Sequence, residues 1–172
     1  MNKIMIGQFL SLKYSDRKTP IYGFVINYND DWTLMKYNPV NYELDGYIIL
    51  RHKNIEGFRQ SAEEKFRENV FRLKKFRLKR TEKIPITDLQ TILSGVMKKH
   101  GVFGFYLKSE SAFYVGKLLS LDNKKLVINF LDPNGKWKGK MKFRPGDIRT
   151  IEFDTDYINS LKLVAGDSRK KK

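Results

Sequence analysis

One pattern occurs twice in this chain, and it constrains the fold more than any other feature. Gly23 and Gly116, Gly46 and Gly139, Arg51 and Arg144, and Ile55 and Ile148 all stand 93 positions apart. No gap is needed from residue 23 to 58, although only five of 36 positions are identical. The apolar spacing is kept more closely. Val25 pairs with Leu118, Leu34 with Val127, Met35 with Ile128, Tyr37 with Phe130 and Leu50 with Phe143. Each segment reads as strand, turn, strand, loop, strand, turn, strand. β-Branched and aromatic residues fill the runs. Asn29-Asp30-Asp31 and Asp122-Asn123 are turn residues that bond their own main chain. Pro39-Val40-Asn41 and Asp132-Pro133-Asn134-Gly135 break the second strand. Short strands with regular turns predict a small closed sheet in each half. A unit of about 60 residues is marginal alone, so packing two together helps both.

A different texture separates the halves. Thr87 and Gln90 have capping-box spacing, and Leu89, Ile92, Leu93, Val96 and Met97 recur at helical intervals. Lys98, Lys99 and His100 suit the negative end of the dipole, and Gly101 is a terminator. These signals predict a helix over 87–100 whose apolar stripe packs on a barrel. Ser61 and Glu64 start a second helix with Phe66, Val70 and Leu73 on one face. A shorter helix is expected from Asp154 to Leu163, with Asp154 as cap. The expected organisation is a first small barrel with a trailing basic helix (1–80), a linker helix (81–100), a second barrel (101–165) and a disordered basic tail (166–172).

Charge narrows the function. Lys and Arg number 34 against 19 Asp and Glu, a net charge of +15. Such an excess suits a polyanion: RNA, DNA or an anionic membrane face. It is clustered. Residues 59–83 hold ten cations and four glutamates, and Arg72, Lys74, Lys75, Arg77, Lys79 and Arg80 fall within nine residues. Phe66, Phe71 and Phe76 interleave with them; Phe66 reads as core, while the other two stand between core and base stacking. Arg51 and Arg144 each follow an apolar strand and precede a turn, where an arginine can grip a phosphate. Lys53 belongs to the same turn. Trp32 begins a strand after an acidic turn and either seals a barrel end or offers a stacking face.

These residues resemble the Sm-like family: a glycine in the first long strand (Gly23, Gly116), an acidic turn (Asn29-Asp30-Asp31, Asp122), a later glycine (Asp45-Gly46, Gly139) and an arginine before a turn (Arg51, Arg144). The resemblance covers about 22–58 and 114–151. It implies tandem small SH3-like barrels, a tendency to form rings, and binding of single-stranded RNA. The family's stacking residue and the turn asparagine two residues after it are replaced by Asp31 and Thr33, and by Lys124 and Leu126. The glycine after its arginine is replaced by His52 and Pro145. The fold therefore carries over better than the uridine site.

Catalysis is not expected. The chain has no cysteine and two distant histidines, His52 and His100, so neither thiol chemistry nor a zinc or iron site is predicted. No phosphate loop or nucleophile elbow is present, and the paired aspartates read as turn formers. No cofactor and no metal are implied. The chain has no membrane-length apolar run and no secretory signal, which fits a cytoplasmic protein. The expected activity is electrostatic, weakly sequence-specific binding of RNA or single-stranded DNA. The alternative is an interaction module whose barrels hold a protein partner or self-associate, as a monomer with pseudo-two-fold lobes or as a homo-oligomer.

Overall fold

A computed structural model describes residues 6–78, 83–108 and 111–170. The fold is mostly β. In chain order the strands are β1 (Phe9–Tyr14), β2 (Ile21–Tyr28), β3 (Trp32–Asn38), β4 (Tyr47–Arg51), β5 (Ile55–Arg59), β6 (Phe103–Tyr106), β7 (Phe113–Leu121), β8 (Leu126–Leu131), β9 (Trp137–Phe143) and β10 (Thr150–Phe153). Helices α1 (Ala62–Leu73) and α2 (Leu89–His100) lie between β5 and β6, and α3 (Asp156–Lys170) follows β10. The four strands expected of each segment are present, and each half has one more in front, β1 and β6.

All ten strands belong to one open antiparallel sheet, ordered β5-β1-β2-β3-β4-β10-β6-β7-β8-β9. The expected separation into two closed sheets is therefore replaced by continuity. β4 of the first half pairs with β10 of the second, Ile49 opposite Ile151 and Ile48 opposite Glu152. The halves are joined head to tail by unlike strands, where a two-fold pair would join like ones.

Within each half the pairing order is the same, and local details recur 93 residues apart. The register slips between Val25 and Asn27 on β2 and between Leu118 and Ser120 on β7. The Asn29 side chain accepts from the amides of Asp31 and Trp32, and that of Asp122 from Lys124 and Lys125. A Cβ on Gly23 would run into the Lys36 carbonyl, and one on Gly116 into that of Asn129. Only glycine lets the neighbouring strand come that close.

The core changes sides at the β4–β10 junction. Side chains alternate along a strand, so Ile48 and Leu50 point one way and Ile49 the other. Ile48 and Leu50 join Leu12, Tyr14, Val25 and Met35 in the interior of the first half. Ile49 instead joins Trp32, Leu34, Phe103, Phe105, Ile151 and Phe153 in a core that spans both halves. Ile92, Leu93 and Val96 of α2 are fully buried in that shared core. Each such side chain contributes about 1.5–3 kcal/mol by burial, so the connecting helix acts as a wedge rather than a tether. On the far face of the second half, α3 covers Val115 and Leu131 with Ile158, Leu161 and Ala165.

Helix ends follow their caps. Ser61 and Glu64 form the expected capping box of α1. Glu64 is buried, and it also accepts from the Ser11 hydroxyl at 2.6 Å, tying the helix to β1. α2 is capped one residue later than the spacing predicts. Asp88, not Thr87, accepts from the Thr91 amide at 2.8 Å, and Thr87 turns its hydroxyl to Asp88. Gly101 closes α2 in the left-handed region, as expected. Asp154 likewise does not cap α3: it takes a left-handed turn, and the Thr155 hydroxyl accepts from the Ile158 amide. α3 runs well past Leu163, through Lys170. The face of α1 is also rotated from the sequence reading. Phe71 is the buried anchor against Phe9 and Phe24, whereas Phe66 is exposed beside Tyr42.

Candidate nucleic-acid interface

The described sequence-marked residues fall in two places, and the structure adds a third. Arg51 lies at the seam between the halves. Its backbone amide donates to the Arg149 carbonyl, and its guanidinium donates to the Pro145 carbonyl at 3.1 Å and sits over the Trp32 ring. The turn that Arg144 starts is thus brought to Arg51, and the two matched arginines share one region. Arg51 is half-buried, while Arg144 and Lys53 are exposed. Trp32 is 3% exposed, so its faces are taken by the shared core and by Arg51. His52 is held between the Thr33 hydroxyl and the Asp30 carbonyl. A carbonyl only accepts, so Nδ1 carries the proton, and burial holds the imidazole below its ordinary pKa.

The second place is the end of α1. Arg72, Lys74, Lys75 and Arg77 are exposed; Lys79 and Arg80 lie outside the described residues. Lys75 has a left-handed backbone that turns the chain off the helix. Lys74 donates to the Tyr42 carbonyl and Arg72 to the Asn69 side chain, and neither acceptor is an acid. Phe76 packs on Phe24 and Phe71 and is partly buried, so Phe71 and Phe76 settle on the core side of the open question.

Apart from Arg144, the third place was not singled out by the sequence reading. On β9 and its flanks Lys136, Lys138, Lys140, Lys142 and Arg144 are all exposed, one at every second position. β9 is the terminal strand of the sheet, so this row borders open solvent. Across the strands Lys140 stands opposite Asn129 and Asn129 opposite Lys117. The Lys117 ammonium lies 5.0 Å from the Trp137 ring centroid. Residues 114–144 hold eight cations and two aspartates. Of these two acids only Asp132 meets the row, at Lys138. Asp122 serves its turn, and Asp132 accepts from the amides of Asn134 and Lys136, with the Lys138 ammonium at 3.4 Å. The signal was present as alternating lysines, which a strand sets on one side at Lys140 and Lys142, until the bulge at Lys138 breaks the alternation.

Comparisons with protein-family models, with curated proteins and with solved structures gave no match. Among the described residues no cluster of His, Cys, Asp or Glu is placed to hold a metal ion, and no helix is long and apolar enough to cross a membrane.

Proposed function

We propose that this chain binds RNA or single-stranded DNA, mainly through charge, and that its two halves are copies of one small Sm-like or SH3-like module. The observation that carries the reading is the row of exposed cations on β9. Residues two apart on a strand are about 6.6 Å apart, so Lys140 and Lys142 stand in line on β9, with Arg144 just beyond its end and Lys136 and Lys138 on the other side of a bulge at Lys138. Like charges so aligned repel unless a polyanion neutralises them. Phosphates meet that need, and the release of their counterions would supply the affinity. Trp137, with Lys117 over its ring, offers a stacking surface beside the track. The exposed cations at the end of α1 add a second contact. The recurrence of bulge, turn and glycine at one offset supports the duplicated module.

The test is anisotropy of a fluorescent single-stranded RNA and a matched DNA across a salt series. Five phosphate contacts give a log–log slope of about −3.5 for a single strand. Neutralising Lys140, Lys142 and Arg144 should flatten that slope by about two. A salt-independent affinity, or none at low salt, would refute the proposal.

One observation favours an interaction module instead. β5 and β9 are the two ends of the sheet, and an end strand offers unpaired backbone to another chain. A stoichiometric protein complex that survives nuclease treatment would support that reading.

A further inference from the structure

A cleft of about 350 Å³ opens where the halves meet, and its chemistry is opposite to that of the rest of the surface. It is lined by Tyr37, Pro39 and Asp45 from the first half and by Tyr106, Phe113, Glu152, Thr155 and Tyr157 from the second. In a chain of 34 Lys and Arg, no basic side chain among the described residues lines it. Four of the eight lining residues are aromatic and two are carboxylates.

The topology builds this site. Because the core changes sides at β4–β10, Glu152 stands on the face opposite the second half's core. It lies beside Ile48 on one side and Gly104 on the other. Gly104 has no side chain, and the Phe113 ring occupies the space a Cβ would need. Phe113 then stands with its ring centroid 4.8 Å from that of Tyr106 and 6.1 Å from that of Tyr157. Three rings thus follow one another beside the carboxylate. Asp45 is fixed on the opposite wall by accepting from the Asp156 amide at 2.8 Å.

Glu152 is the unexplained group. It is only 9% exposed, and no described residue donates a hydrogen bond to its carboxylate. Its charged neighbours are Arg17, which sits over the Tyr106 and Tyr14 rings, and Asp45. Burial is the main cause that raises it to about 7; Arg17 opposes the rise and Asp45 adds to it. A carboxylate so nearly buried is costly to ionise, and a cation in the cleft would relieve it.

We propose that this cleft binds the head group of an organic monocation, an alkylammonium, with the rings around its apolar surface and Glu152 and Asp45 matching its charge. Aromatic faces attract cations, most strongly where water is displaced. Two carboxylates line the cleft, and their negative bias is what a monocation would match. Phosphate and nucleic acid are excluded by the same charge, so this site is independent of the basic track. The head group has two possible carriers, a small free amine and the side chain of a methylated lysine in a peptide.

The experiment is an NMR titration of the ¹⁵N-labelled full chain at pH 8. The probes are choline, a trimethyllysine peptide, and 3,3-dimethylbutanol, which has choline's shape without its charge. Saturable shifts at Tyr106, Phe113, Glu152 and Tyr157 with either cation, and none with the alcohol, are the expected result. Whichever cation binds more tightly identifies the carrier. Glu152→Gln should weaken binding about tenfold, and Tyr157→Ala, at the exposed rim, serves if that variant misfolds. Equal shifts with the alcohol, or no saturation with either cation, would overturn the proposal. Loss of RNA binding in the earlier test would leave it standing.

Discussion

Replacing Glu152 by glutamine should stabilise the protein at pH 8 far more than at pH 5. The ordinary value for this carboxyl is 4.5, and burial raises it to about 7 in the fold. The folded state therefore holds a proton that the unfolded state has lost. Stability from this group is fully present below the unfolded value and is lost as pH rises toward the folded one. Linkage puts the cost of ionised Glu152 at about 3 kcal/mol at pH 8 and under about 1 kcal/mol at pH 5. The isosteric amide removes that cost, so its advantage should grow by roughly 2–3 kcal/mol between the two pH values. Urea unfolding of both proteins at pH 5, 6, 7 and 8 measures the difference. His52, held below its ordinary value, titrates in the same window with the opposite sign, but it is common to both proteins and cancels. So do Asp16, Glu64, Asp88, Asp122, Asp132 and Asp147, all held low and active only in acid. An advantage that is equal at every pH, or a variant weaker at pH 8, would refute the argument.

Three further outcomes are expected. Asp16→Ala should cost about 3 kcal/mol by calorimetry, since it strands Arg149, which is fully buried and bonded to Asp16 at 3.0 Å. Burial raises the Asp16 carboxyl, but the Arg149 bond and charge outweigh it and hold it below 3.8, so wild type should lose this contribution only as pH falls below that value. Gly23→Ala and Gly116→Ala should each destabilise by about 2 kcal/mol in urea, because the new methyl must push the adjacent strand away. Ser61→Ala should cost about 1–2 kcal/mol and leave m unchanged, since it removes the α1 cap and a partner of buried Glu64.

Much of the local structure was legible. The strands and turns of both halves follow from alternation and from Asn and Asp, whose side chains bond their own amides whatever surrounds them. α1 begins where Ser61 and Glu64 say it should. The misses come from competition between neighbours. Thr87 and Asp88 both have a capping oxygen, and geometry chose the aspartate. Phe66 and Phe71 both fit a helical face, and only the position of Phe9 and Phe24 decided which is buried. The basic tract after α1 drew notice by density, whereas the β9 row, more widely spaced, needs a strand to align it.

The sequence alone determined the two similar halves, the helix between them and the excess of positive charge, because period, turn chemistry and net charge are local or additive. It did not determine that β4 would pair with β10. Edge pairing depends on two strands about a hundred residues apart meeting in register, and nothing in either strand names the other. That pairing turned two modules into one sheet and moved the core from one face to the other. It also left Glu152 among aromatic rings instead of in solvent.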